Sequence, residues 1–195
     1  MQRYFYELVT AFVRGRLGIE TATAEDGLRA GLRLHKFERN TELPRVQRVI
    51  GVLRGLAPEN LLDVGSGRGT FLWPLLAAFP LTPVTAIDIS ERRVADIAAV
   101  RRGGISRLTV GQMNAEKMAF APGSFDTVTM LEVLEHMPHP ISALQCAVAT
   151  VPSVPDDNPG HLHLFTPGQL HEMARAAGFG GHVLNHRIAI VRVQP

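Results

Sequence analysis

The chain is poor in the residues that mark oxidising or membrane settings. It has one cysteine, Cys146, in 195 residues. No internal disulfide can form, and the expected role is a buried filler thiol in a reducing cytoplasm. Aromatic residues make up only 6% of the chain, with one Trp and two Tyr, so the core has to be mainly aliphatic. Charge is nearly balanced: 20 Lys and Arg against 18 Asp and Glu give a formal net charge of +2. That is too little for composition to argue a nucleic-acid partner. Long apolar runs are missing. The most apolar window, Phe71–Phe79, falls well short of the roughly 20 residues of a membrane span and contains Pro74. Arg3, Glu7, Arg14 and Arg16 break up the N-terminal stretch, against the pattern of a signal peptide. Repeats and low-complexity tracts are absent too. The expectation is a water-soluble cytoplasmic protein with no membrane partner.

What is present suits one globular domain: 46% hydrophobic and 19% charged residues over a length able to bury a core. The first fifty-odd residues carry helical spacing. Tyr4, Leu8, Phe12 and Val13 predict one helix, Leu28, Leu32, Leu34 and Phe37 a second, and Val46, Val49, Ile50 and Leu53 a third that Pro44 opens. From residue 60 short apolar runs alternate with helical segments. Strands are predicted at 60–64, 84–89, 108–111, 126–131 and 147–151, with a closing pair in 182–193. Helices are predicted at 70–79, 91–102, from 140, and at 166–177. This alternation predicts an α/β, Rossmann-like, doubly wound and mostly parallel sheet with helices on both faces. Residues 1–56 would form an N-terminal helical cap of the same domain and 57–195 the core. Ligands of such sheets sit beyond the carboxyl ends of the strands, here just after Val64, Ile87, Val110 and Leu131.

The strongest local signal is LLDVGSGRGT, residues 61–70. An apolar strand ends in an acid and meets glycines at alternate positions, which permit a tight turn and close ligand approach. A dinucleotide loop needs similar glycines. Its third glycine, however, would fall at position 70, where Thr70 stands. Asp63 also places a carboxylate where a pyrophosphate wants positive potential. An ammonium and a sulfonium would be attracted instead. Asp88, in AIDIS, ends the second strand at the distance where a carboxylate accepts from ribose hydroxyls. GQMNAE, residues 111–116, follows the third strand and offers groups for an adenine edge.

With LLDVGSGRG, AIDIS, NAEKMAFAPGSFDTV, MLEVLEHMPHP and FTPGQLHEMARAAGF, the segment from Leu61 to Phe179 resembles the class I S-adenosylmethionine-dependent methyltransferases. The resemblance implies S-adenosylmethionine as cofactor. Asp63, Gly65 and Gly67 would lie along its methionine half, Asp88 at the ribose, and Asn114 and Ala115 at the adenine, with Ser66 and Ile89 among the cofactor-binding residues. Leu131, at the end of the fourth strand, belongs to the same set. The family usually has Asp where Asn114 stands.

The fourth strand runs into Glu132, Glu135 and His136. A sulfonium already activates its methyl group, so such a site mainly aligns an acceptor and takes its proton. His136, with Glu135 beside it, is the expected base. The same residues with His161 or His163 could instead hold a divalent metal, His161 being the better match. This combination resembles the small-RNA 3′-terminal 2′-O-methyltransferases. Many small-molecule methyltransferases, ubiquinone-pathway O-methyltransferases among them, also carry a Glu-His pair here. A small-molecule hydroxyl or amine is therefore the first acceptor expectation and RNA the alternative, with Lys36, Arg39, Arg45 and Arg48 as its phosphate-binding face. A cofactor-binding protein without turnover and a dehydrogenase are the other classes, the latter disfavoured by Asp63 and Thr70. Tyr4, Phe5, Tyr6 and Phe12 are read as core or as a substrate lid. The sequence departs from the family at the short Gln145–Cys146 connection and in the final strands. It leaves the oligomeric state open.

Overall fold

Short apolar runs with residues alternating between two faces build a seven-stranded sheet in the computed structural model. The model describes residues 4–39, 43–121, 123–140, 148–150, 159, 161–163, 165–176, 180–185 and 188–192. The strands are β1 (Leu61–Val64), β2 (Val84–Asp88), β3 (Leu108–Gln112), β4 (Thr127–Leu131), β5 (Val148–Thr150), β6 (Gly180–Asn185) and β7 (Ile188–Arg192). They lie in the order β3-β2-β1-β4-β5-β7-β6. The first five pair in parallel. β7 runs antiparallel to both β5 and β6. The chain moves outward from β1 to β3 and then returns to β4 on the other side of β1. That reversal opens a crevice at the carboxyl ends of β1 and β4.

Alternation along the strands feeds two cores. Leu61, Val84, Ala86 and Leu108 join the N-terminal helices in one. Leu62, Val64, Ile87, Val128 and Met130 face the other, which Leu134, Met137, Phe165 and Leu170 complete. A sheet covered on both sides accounts for the nearly continuous apolar character of β1.

The helices are α1 (Tyr6–Leu17), α2 (Ala24–Arg29), α3 (Pro44–Leu56), α4 (Leu72–Ala78), α5 (Glu91–Arg102) and α6 (Pro167–Ala176). Thr23 and Asp26 form a reciprocal capping box on α2. Thr166 and Gln169 do the same at α6. Pro44 occupies the first turn of α3, as expected. Pro74 falls in the first turn of α4, where a missing N–H leaves no bond unmade. The second helix differs from expectation: it stops at Arg29, and the chain turns through Gly31 at φ +74. Leu34 and Phe37 reach the core through a 3₁₀ turn at His35–Phe37, while Leu28 stays 54% exposed. Their spacing imitated a helical stripe that the glycine breaks. The predicted helix after Pro140 and the Gln145–Cys146 connection lie outside the described residues.

α1 is pressed onto α5 with main chain against main chain. A Cβ on Gly15 would come within 1.9 Å of the Ala99 carbonyl oxygen, and one on Gly103 within 1.7 Å of that of Ala11. Lys36 Nζ and Arg16 reach Asp96 on α5 at 2.6 and 3.6 Å. Phe12, Phe37 and Trp73 stack in series, with centroids 5.2 and 4.8 Å apart. Phe5 and Phe12 are therefore core residues, not a lid. Tyr4 bridges to Glu38 and Tyr6 faces outward. Among the described residues no helix is long and apolar enough to cross a membrane.

Candidate cofactor cleft and catalytic loop

The loop after β1 is fixed by its backbone. Gly65, Gly67 and Gly69 have φ of +69, +59 and +84, a region L side chains rarely enter. A Cβ would also strike Val133 at Gly65 (2.5 Å) and the Trp73 ring at Gly69 (2.0 Å). The N–H groups of Gly65 and Ser66 donate to the Ile87 carbonyl, and the Gly67 N–H donates to Asp88 Oδ2 at 2.8 Å. The tips of β1 and β2 are thus tied together, and two acids far apart in sequence flank one loop.

Asp63 is buried at the floor of this loop. Its Oδ1 accepts from the Thr129 hydroxyl at 2.8 Å, whereas Oδ2 has no hydrogen-bond partner within the protein. Burial pushes its carboxyl up to about 6; the Ser66 and Thr129 hydroxyls pull it back, and the negative charge of Asp88 adds to the rise. Asp63 lines a cavity of about 260 Å³ with Arg45, Ser66, Gly67, Thr70, Phe71 and Leu131. The sequence contains Thr129 but not the pairing that makes it matter: parallel register sets it directly beside Asp63.

Asp88 lies at the edge of a second cavity of about 380 Å³, shared with Ile89, Met113, Asn114 and Ala115. Its Oδ1 accepts from the Ser90 N–H at 2.8 Å, and Arg93 approaches Oδ2 at 3.7 Å. Asn114 Oδ1 accepts from the Glu116 N–H and caps the 3₁₀ turn Ala115–Lys117. Every residue expected at the cofactor therefore borders one of two cavities, which meet at Gly65, Arg93, Glu132 and His136. Sequence reasoning did not single out Met113, Val133, Met137, Arg45 or Arg93 for this cleft.

At the end of β4, Glu132 adopts φ +56, costly for a residue with a side chain and common where a site fixes the backbone. Its carboxylate lies 3.9 Å from Arg45 of α3. Glu135 is completely buried. Its carboxylate and one ring nitrogen each of His136 and His161 lie within 4.8 Å of one another. The two imidazoles stand 4.9 Å apart, centroid to centroid. The Leu162 and His163 N–H groups donate to the Glu135 carbonyl, and His163 Nε2 contacts the Met137 carbonyl at 3.0 Å. His161, not His163, thus joins the loop's acid and imidazole. Of the four expected metal ligands three converge; Glu132 is outside that group and faces Arg45. Three of the residues expected on a phosphate-binding face have partners of their own. Lys36 sits on Asp96 and over Phe12, Arg39 over Phe5, and Arg45 by Glu132.

Residues 62–151 match the family model described as "Methyltransferase domain". The chain is 37% identical over 108 residues to the ubiquinone biosynthesis O-methyltransferase of Paracidovorax citrulli, covering 52% of this chain and 44% of that protein. To the enzyme of the same name from Vibrio cholerae it is 35% identical over 126 residues, covering 63% and 47%. It therefore spans less than half the length of these curated relatives. Among solved structures, a SAM-dependent methyltransferase from Aquifex aeolicus superposes with TM-score 0.58 at 17% identity, over 78% of this chain and 94% of that one. At that identity the likeness is one of fold.

Proposed function

We propose that the chain, whose residues 62–151 match a methyltransferase domain, is a class I S-adenosylmethionine-dependent methyltransferase that binds this methyl donor in the two joined cavities and methylates a small-molecule hydroxyl or amine. One observation carries the reading: Asp63 presents a buried carboxylate oxygen, without a protein partner, beside the pinned glycine loop. An ammonium would supply the missing partner and offset the cost of burial. Asp88 spends one lone pair of each oxygen on the Gly67 and Ser90 N–H groups and keeps others for a ribose diol. Ile89, Met113 and Ala115 wall the cavity where a base would lie, with Asn114 at its edge. Bound there, the sulfonium supplies the activated methyl group. Gly65, Ser66 and Gly67 hold the methionine half, and Leu131 borders it.

His136 lies where the cavities meet. In this reading its imidazole would accept the proton that the acceptor's hydroxyl or amine releases as its oxygen or nitrogen bonds to the methyl carbon, the carbon–sulfur bond breaking with its electron pair left on sulfur as a neutral thioether. Glu135 is the buried acid behind it. Residues 1–56 and 57–195 are taken as one domain with a shared core, and the single cysteine suits a cytoplasmic setting. Titration calorimetry with S-adenosylhomocysteine should give saturable binding for the wild type and none for Asp88→Ala. A wild type that binds nothing rules out the reading.

The trio Glu135, His136 and His161 favours a second reading. Its carboxylate and imidazoles suit a divalent cation that would polarise an acceptor hydroxyl, as RNA 3′-terminal 2′-O-methylation would require. Turnover unchanged by EDTA and by added manganese excludes it.

A further inference from the structure

Behind the glycine loop lies a separate concavity of about 130 Å³. Arg33, His35 and Lys36 line it from the segment after α2, Arg68 from the loop, and Arg92, Arg93 and Asp96 from α5. Five cations thus face one carboxylate. Asp96 is already engaged by Lys36 at 2.6 Å and Arg16 at 3.6 Å. Arg93 leans toward Asp88. Among the described residues, no carboxylate pairs with Arg33, Arg68 or Arg92.

This grouping runs against the local electrostatics. Arg92 and Arg93 occupy the first turn of α5, where the helix dipole disfavours positive charge. Lys36 already feels the crowd: burial lowers its pKa, Asp96 draws it back up, and Arg16 and Arg92 push it down again. Three stretches of chain converge here at a cost in like-charge repulsion that a bound anion would remove. The Trp73 indole N–H donates to the Arg68 carbonyl at 3.0 Å and holds the base of that arginine in place.

We infer that this concavity binds a phosphoryl group, either free phosphate or the phosphate of a small monoester. Guanidinium groups match phosphate oxygens in geometry and charge. The volume suits one phosphoryl group and is too small for a nucleotide, and the cations form a cluster, not a track along the surface. Gly67, Arg68 and Arg93 border both this concavity and the donor cavity. A monoester anchored here would sit next to the donor site, and in that respect the inference extends the proposed methyl-transfer reading.

The test is titration calorimetry of the full chain with inorganic phosphate and with glycerol 3-phosphate, against sodium chloride at equal ionic strength. Arg33→Gln/Arg92→Gln is the variant, because neither residue borders the donor cavities. Saturable phosphate binding that weakens at least tenfold in the variant, with S-adenosylhomocysteine affinity unchanged, supports the site. Binding of phosphate alone identifies the free anion as ligand, and binding of both identifies the monoester class. Heat no larger than that of chloride, phosphate affinity equal in wild type and variant, or binding of single-stranded RNA without binding of phosphate overturns it. A wild type that binds phosphate but no S-adenosylhomocysteine would instead count against the methyl-transfer reading and leave the anion site standing.

Discussion

Asp63→Asn should stabilise the empty protein at neutral pH while impairing what the cleft does. The wild-type carboxyl is buried and pushed up to about 6 from an ordinary 3.8. Below pH 3.8 it is protonated in both folded and unfolded chains, so it contributes no pH-dependent difference. Between about 4 and 6 the unfolded chain ionises first, and wild-type stability falls as pH rises. Above 6 the loss is complete. A shift of about two units corresponds to about 3 kcal/mol, or about 6–12 °C in Tm for a chain of this size. The asparagine keeps the acceptor for Thr129 and does not titrate, so its own packing cost is the same at every pH. Urea denaturation of both proteins from pH 4 to 8 measures the difference. The advantage of Asp63→Asn over wild type should grow by about 3 kcal/mol across that range. The groups facing Asp63 are Thr129, Ser66 and Asp88; Asp88 is unchanged in the variant. A gap that stays flat with pH refutes the assignment of a buried, costly carboxylate. Affinity for S-adenosylmethionine should behave the opposite way, weakening in the wild type as pH falls below 6 and lying low and pH-independent in the variant.

Thr129→Val removes the donor to Asp63 Oδ1 with little change in shape. Affinity for S-adenosylmethionine should drop about 10- to 100-fold, the value of a hydrogen bond to a charged group, while adenosine affinity holds and Thr129→Ser restores the loss. Equal losses for both ligands would make Thr129 a packing residue. Gly69→Ala combines φ +84 with a Cβ 2.0 Å from the Trp73 ring. It should cost about 2–4 kcal/mol, read by urea unfolding with the single tryptophan as fluorophore; a midpoint within error of wild type contradicts the crowding.

The strands were legible because each is a short apolar run closed by glycine, an acid or a polar turn, so the type of each element and its place along the chain follow from pattern. That Asp63, Asp88 and Asn114 gather at one edge, around two adjoining cavities, was legible for the same reason: each lies at or just past the end of a parallel strand. Thr129 was not, because its role depends on which strand lies beside β1, a fact of the return crossover. The approach of Arg45 to Glu132 was not legible either, since helix orientation over the sheet is decided by tertiary contact. The failed second helix is a limit of periodicity itself: Leu34 and Phe37 are buried at spacings that two different backbones can satisfy.

The mutual glycine contact between α1 and α5 bears on how the protein opens. Because Gly15 and Gly103 let the two backbones touch, neither helix can loosen without exposing the other's carbonyls to an ill-fitting neighbour. Amide hydrogen exchange in the two should slow to a common rate, as one cooperative block. A fragment trimmed to begin near the first strand would therefore strip α5 of that packing, and because α5 borders both the cation-lined concavity and the cavities beside the glycine loop, order should be lost well beyond the residues removed.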